Sequence, residues 1–145
     1  MLLTQSACGA AQLDSHFQAY GELGAAKPSG PSVAAAEDVR VFMGMAPDGF
    51  SLRENELTVE EGYGHEVLGR VFATRGLGLC DVGDISPELV GEALRSAAFP
   101  TGANAVIYAQ SDVAESASGA EQCQIIRNNG GRVGSGWAVQ LKEGQ

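Results

Sequence analysis

The sequence predicts a small α+β domain, in which one main α-helix packs on a small antiparallel or mixed β-sheet behind a disordered tether. Three observations lead to this fold class. An amphipathic helix is signalled between Ser86 and Gly102, short stretches with strand-like alternation surround it, and a segment rich in Gly, Ala and Ser precedes them. A helix with one apolar face needs a second layer to bury it, and the strand-like stretches supply a sheet.

The composition allows one domain with a modest hydrophobic core. The chain has 145 residues, of which 44% are hydrophobic and 19% charged, and its 20 glycines favour loops and tails. The formal net charge of -9 argues against a nucleic-acid partner and against anionic lipid head groups, because both need a basic surface. No stretch approaches the roughly 20 apolar residues that span a bilayer.

The first eight residues resemble the end of a secretory signal. Residues 1–8 place small side chains directly before Cys8, as a lipoprotein signal does, although Gln5 stands where that signal has an aliphatic residue. We interpret this stretch as a truncated signal and lipobox remnant, with Cys8 as the lipid-attachment residue. The alternative is a free cysteine in a disordered tail.

Residues 9–37 are predicted to be a flexible linker. Gly, Ala, Ser and Pro dominate this stretch, which cannot bury enough apolar surface to offset its ordering entropy. One short helical turn is expected around Leu13 to Tyr20. A flexible chain of this length reaches about 30 Å, which suits a tether. The folded α+β domain is then expected over 38–145.

Five stretches of the domain show strand-like patterns. They are Val39–Met43, Leu57–Glu60, His65–Thr74, Ala103–Ala109 and Val133–Leu141. In the third, alternation places Val67 on the same face as Val71 and Ala73. In the last, Gly134 and Gly136 leave one face almost bare, which predicts that another element approaches closely there. Residues 111–122 are small and polar, and are expected to form a loop.

The main helix has clear start and stop signals. Ser86 is suited to the N-cap, Pro87 to the first helical position, and Glu88 to the positive helix N-terminus. Apolar residues then recur along one face as far as Ala98. Pro100 and Gly102 end the helix.

Two cysteines lie within the predicted domain. Cys80 follows a strand in a loop, and Cys123 lies at the far end of another loop. A disulfide between them is the economical interpretation for an exported protein. Two unpaired thiols in a cytoplasmic protein remain the alternative, because three cysteines do not fix the connectivity.

The sequence offers no catalytic constellation and no cofactor or metal site. His65 could act with Glu60 or Glu61 as a metal ligand, but a solvated acidic turn is the favoured interpretation of these residues. Nucleophilic catalysis needs a base and an orienting group beside an activated Ser or Cys, and no such pattern occurs. The chain is therefore not expected to be an enzyme, and a small hydrolase is the weakest hypothesis.

Several short motifs resemble the RcsF family of envelope-stress lipoproteins. They are Leu68-Gly69-Arg70-Val71, the loop ending in Cys80, the Ala-rich helix leading into Ala103-Asn104-Ala105-Val106-Ile107, Cys123, and Gly134-Ser135. The junction from Gly102 to Ile107 is also similar to the broader YbjQ-like group. The resemblance covers about Val67 to Leu141.

The resemblance implies a lipidated N-terminal cysteine, a Pro-rich disordered segment and a compact α+β domain. Cys8 and the linker fit that plan. It also implies a disulfide at the places of Cys80 and Cys123. The family's second disulfide is missing, because one of its positions falls at Ser111 and the other close to Arg132. Members of the family relay envelope damage by binding an inner-membrane protein and outer-membrane β-barrels.

These observations together predict a lipid-anchored protein of the bacterial cell envelope. We expect it to be held at the outer membrane by an N-terminal lipid, facing the periplasm or the surface, and to act by binding envelope proteins. Stress sensing is the role that the resemblance implies. The alternative is a cytoplasmic, oligomeric YbjQ-like protein that binds metal.

Overall fold

A computed structural model describes residues 13–19, 30–75, 85–113 and 119–142, with side chains from 121 onward in the last range. This part of the chain forms seven strands and two α-helices. They are β1 (Asp14–Ala19), β2 (Arg40–Met43), β3 (Phe50–Arg53), β4 (Glu56–Val59), β5 (Glu66–Thr74), α1 (Pro87–Ala98), β6 (Ala105–Ser111), α2 (Gly119–Asn128) and β7 (Arg132–Gln140). Short 3-10 turns occur at Ala36–Asp38 and Phe99–Thr101.

Five strands form one mixed sheet, and the other two form a hairpin. The sheet order is β1-β5-β7-β6-β2, with β2 parallel to β6 and the remaining neighbours antiparallel. The β3–β4 hairpin turns through Glu54 and Asn55, whose φ angles of 49° and 69° fit a two-residue primed turn. One apolar core lies on the α1 side of the sheet and a second lies under the hairpin. The predicted α+β class is confirmed.

Helix α1 begins and ends as the sequence predicts. The Ser86 hydroxyl accepts a hydrogen bond from the Leu89 N–H at 3.2 Å, and Pro87 is the first helical residue. After the final 3-10 turn, Gly102 adopts a left-handed φ of 96°. The buried face of the helix packs on the sheet through Val90, Gly91, Ala93, Leu94, Ala97 and Ala98.

Strand β7 lets α1 approach closely, as its bare face predicts. A Cβ at Gly134 would overlap Val90 Cγ1 on the helix and lie 2.8 Å from the Gln110 carbonyl oxygen. On the opposite face, Trp137 and Val139 are buried in the hairpin-side core. The central strand therefore presents backbone to the helix and large side chains to the hairpin.

The predicted faces of β5 are partly wrong. The pairing of β5 with β7 shifts register between Val67 and Gly69. As a result, Leu68 joins Val71 and Ala73 in the helix-side core, while Val67 packs on the hairpin side. A β-bulge inserts one residue into the strand, so simple alternation assigns the residues before it to the wrong face.

The N-terminal segment differs from the expected linker. Residues 14–19 form edge strand β1, paired antiparallel with β5, rather than part of a flexible stretch with a helical turn. Phe17 packs against the helix-side core. A Cβ at Gly69 would lie only 2.7 Å from the Phe17 ring, so the glycine makes room for it. Long-range pairing creates this strand, because its own residues show only a weak alternation. Residues 1–12 and 20–29 lie outside the described range.

The predicted loop over 111–122 is also partly wrong. Ser111 belongs to β6, and α2 begins at Gly119, so Cys123 lies within a helix rather than at a loop end. Gln122 and Ile126 are one helical turn apart and both are buried. The face that they share is apolar only in its C-terminal half, so the sequence pattern predicts a polar loop instead of an amphipathic helix.

Candidate protein-binding groove

Within the described part of the chain, the outer edge of β2 has no neighbouring strand and is open to hydrogen bonding by another chain. Among the described strands, β2 pairs with β6 alone. The Arg40 N–H donates to the carbonyl oxygen of Asn104, just before β6, at 3.1 Å, and the Gly44 N–H donates to that of Ala109 in β6 at 2.8 Å. Because backbone groups alternate between the two edges of a strand, those of Val41 and Met43 point away from the sheet.

A groove runs between this open edge and α1. Its volume is about 280 Å³. It is lined by Val41, Met43, Pro87, Glu88, Gly91, Glu92 and Arg95. A second concavity of about 260 Å³ continues past Glu92 and Arg95, and is lined also by Ala36, Glu37 and Ser96. We call these two concavities together the β2–α1 groove.

Apolar side chains lie along the β2 side of this groove. Val41 is half-buried and packs against the helix-side core. Met43 is 41% exposed, and Met45 just beyond the strand is 56% exposed. Edge strands are usually protected by charges, proline or a covering element. Exposed methionines beside an unpaired edge instead provide an adaptable binding surface.

Gly91 lies on the helix wall of the groove. Among the described residues outside its own helix turn, a Cβ at this position would meet Val41 Cγ1 alone, at an ordinary contact distance of 3.9 Å. Glycine inside a helix costs about 1 kcal/mol relative to alanine. Close packing explains the glycines of β5 and β7 that face this core, but it does not explain Gly91. Gly91 is buried, and the absence of a side chain leaves room for a methyl group beside Val41.

The polar rim of the groove is acidic. The exposed residues Glu37, Glu88 and Glu92 all line it. Arg95 also lines both concavities, so three carboxylates there face one guanidinium, whose Nε donates to the Val39 carbonyl oxygen at 2.8 Å. This bond fastens α1 to the chain entering β2 and marks where the open edge begins. The groove therefore favours a ligand with apolar and basic groups.

A second surface with unusual side chains lies on the hairpin side of the sheet. The Arg70 guanidinium sits 4.7 Å from the Trp137 ring centre and 5.2 Å from that of Phe72, which stacks in turn on His16 at 5.0 Å. Burial, and secondarily the nearby charge of Arg132, lower the pKa of Arg70. Cation–π contacts stabilise such a stack by about 0.5–2 kcal/mol.

The two arginines of this surface differ in their partners. Arg132 Nε donates to an Asp112 carboxylate oxygen at 2.9 Å. The Nε of Arg70 is buried and has no hydrogen-bond partner within the described residues. Aromatic rings therefore hold the Arg70 side chain, whereas a carboxylate holds the Arg132 side chain.

The predicted cysteine sites fall largely outside the described residues. Cys8, the predicted lipid-attachment residue, and Cys80 both lie there. Cys123 is disulfide-bonded. Its pairing with Cys80 stays a prediction.

Both ring nitrogens of His65 are engaged by backbone groups. Nδ1 accepts a hydrogen bond from the Lys142 N–H at 3.0 Å, and Nε2 lies 3.1 Å from the Asp48 carbonyl oxygen. An accepting Nδ1 fixes the neutral tautomer with the proton on Nε2, which then donates to Asp48. The ring also stacks on Phe50 and Tyr63. His65 thus holds the loop between β2 and β3 to the end of β7, which is a structural role.

Within the ranges that the structure describes, no group of three or more His, Cys, Asp or Glu side chains could hold a metal ion. For the pairing of His65 with Glu60 or Glu61 that the sequence suggested, the relevant finding is that both ring nitrogens of His65 contact backbone groups. The same ranges contain no helix long and apolar enough to cross a bilayer.

Sequence reasoning missed the β2–α1 groove. Val41 and Gly91 are far apart in the sequence, so nothing local shows that they face each other. One signal was present: Gly91 interrupts an otherwise strong helical pattern, and an isolated glycine in a helix has a packing or functional reason. The acidic residues Glu88 and Glu92, one turn apart, were a second signal.

Comparison of the chain with protein-family models, with curated proteins and with solved structures finds no match. Geometry and chemistry therefore carry the functional argument.

Proposed function

We propose that this chain is an exported cell-envelope protein, held at the outer membrane by a lipid on Cys8, that acts by binding another protein. The observation that carries the binding role is the open edge of β2 beside the apolar and acidic groove. Unpaired strand edges next to a helix are a recurring site for peptide recognition. The similarity of the short motifs to RcsF-like lipoproteins supports an envelope role that includes stress sensing.

The disulfide at Cys123 supports export from the cytoplasm. Structural disulfides persist in the periplasm and at cell surfaces, while cytosolic thiols are kept reduced. Thiol trapping in intact cells tests this part of the proposal. We expect Cys80 and Cys123 to resist alkylation until a reductant is added. Free thiols at both positions would instead favour the cytoplasmic, oligomeric YbjQ-like alternative.

Metabolic labelling with an alkyne fatty acid tests the lipid anchor. The gene expressed from its natural start should give a labelled protein in the membrane fraction. Cys8→Ser should abolish both the label and the membrane association, because the thiol is the attachment atom. Ser6→Ala, which leaves the thiol in place, is the matched control. A wild-type protein without label contradicts the anchor.

Site-specific photo-crosslinking in cells tests the binding role. A photoreactive residue is placed at Met43 in the groove, at Thr58 on the hairpin, and at Gln18 on β1, all of which are exposed. We expect a discrete adduct with an envelope protein, identified by mass spectrometry, from at least one position. If none of the three positions gives a specific adduct, the binding role is wrong.

A further inference from the structure

We propose that the β2–α1 groove binds an extended segment of the partner that carries basic side chains and adds to β2 as a sixth strand of the sheet. This inference rests on the proposed binding function and names its site and the chemistry of its ligand. Three independent features of the groove support it: its backbone, its shape and its charge.

The backbone of β2 supplies the main-chain contacts. Val41 and Met43 each direct an N–H and a carbonyl oxygen to the open edge, as the bonds of Arg40 and Gly44 to the β6 chain require. An incoming strand satisfies these groups without displacing an existing bond. The Arg95 bond to Val39 closes the edge on one side, so the incoming strand pairs from Val41 onward.

The shape of the groove leaves room for a small side chain at Gly91, among the residues that the structure describes. Elsewhere, core glycines are needed for close approach: a Cβ at Gly136 would lie 2.6 Å from Val106 Cγ1, and one at Gly69 would lie 2.7 Å from the Phe17 ring. At Gly91 the nearest described atom, Val41 Cγ1, would be 3.9 Å from a Cβ, which is an ordinary contact distance. Close packing against the described residues therefore does not require glycine at this position of the helix. We infer that a side chain of the partner packs against this part of the groove.

Charge selects a basic segment over an acidic one. Alternate side chains of an added strand point to the helix side, where they meet Glu88 and Glu92 and then Glu37. Lysine and arginine suit this position, because their aliphatic stems cover Val41 and Met43 while their charged ends reach the carboxylates. An acidic segment would meet three carboxylates and one arginine in the same place, and the net negative charge would repel it.

The test uses the full oxidised chain and a synthetic probe. The probe is a dye-labelled, end-capped peptide of alternating lysine and valine, about six residues long, as strands usually are. A second peptide with glutamate in place of lysine is the matched control. Fluorescence anisotropy should show the basic peptide binding at least about tenfold more tightly than the acidic one, and more weakly at high salt.

Two variants place the peptide in the groove. Gly91→Leu fills the space beside Val41, and Glu92→Lys reverses a charge shared by both concavities. Each should weaken binding by about tenfold or more, while Glu56→Lys on the exposed hairpin leaves it unchanged. Thermal unfolding checks that every variant is folded.

Hydrogen exchange identifies the mode of binding. The saturating basic peptide should slow exchange of the Val41 and Met43 amides, because an added strand accepts from them. The inference is overturned if the two peptides bind equally, if neither binds, if Gly91→Leu and Glu92→Lys both bind normally, or if these amides gain no protection.

The crosslinking experiment separates this inference from the proposed function. An adduct from Gln18 or Thr58 but not from Met43 would leave the binding role standing and remove the groove as its site. Absence of adducts from all three positions would remove the binding role itself.

Discussion

The two flanks of α1 use glycine in opposite ways. Over the centre of the sheet, Val90 of the helix packs so closely on Gly134 of β7 that a Cβ at Gly134 would overlap it. Towards the sheet edge, the glycine is on the helix, and a Cβ at Gly91 would lie 3.9 Å from Val41 Cγ1, its nearest described neighbour on β2. The helix is thus packed tightly on β7, and it lies at an ordinary contact distance from β2. A glycine in a core is evidence of close packing only after its neighbours have been measured.

Gly134→Ala should have the largest effect on stability. The new Cβ would overlap Val90 Cγ1 and approach the Gln110 carbonyl oxygen, so helix and strand must move apart. We expect a loss of about 3 kcal/mol in the free energy of unfolding, measured by urea denaturation of the oxidised protein. The added variant Val90→Ala should recover part of this loss, because it removes the overlapping methyl group. Simple additivity of the two losses would contradict the contact.

Arg95→Met should have an intermediate effect. The substitution keeps an unbranched side chain but leaves the Val39 carbonyl oxygen without its donor at 2.8 Å. Losing a bond from a charged donor to a half-buried site should cost about 1–2 kcal/mol, and should speed hydrogen exchange along β2. Arg53→Met on the exposed hairpin is the control and should stay within about 0.5 kcal/mol of wild type. Equal losses would show that the Arg95 bond does not fasten this flank.

Gly91→Ala should have the smallest effect and the opposite sign. Alanine is the better helix former and its Cβ makes only an ordinary contact with Val41. We expect a gain of about 0.5–1 kcal/mol in the free energy of unfolding, seen as a higher urea midpoint. A loss of stability would mean that the helix is as closely seated over β2 as over β7. The contrast between the flanks would then disappear.

Local signals in the sequence predicted the parts of the fold that depend on local chemistry. Ser86, Pro87 and Gly102 mark the ends of α1 because capping involves neighbours within one turn. Gly134 and Gly136 predicted the close approach to β7, because alternating glycines that leave one face of a strand bare are visible within a few residues of sequence. These positions need no knowledge of the rest of the chain.

Elements that depend on distant partners were not predicted. Residues 14–19 become a strand only because β5 offers an edge and Gly69 leaves room for Phe17. The faces around Val67 were misassigned because a bulge is set by pairing with β7. The β2–α1 groove belongs to the same class, since it exists only where Gly91 and Val41 are brought together by the sheet.

The position of Trp137 gives the protein a built-in optical reporter. It is the chain's one tryptophan, is 5% exposed, and lies under the hairpin and Arg70, on the far side of the sheet from α1. Its emission should shift to longer wavelength when the hairpin detaches or the chain unfolds. Because the sheet separates Trp137 from the groove, a ligand at β2 should leave its emission wavelength nearly unchanged. Recognition and loss of structure can therefore be followed independently in a single unlabelled sample.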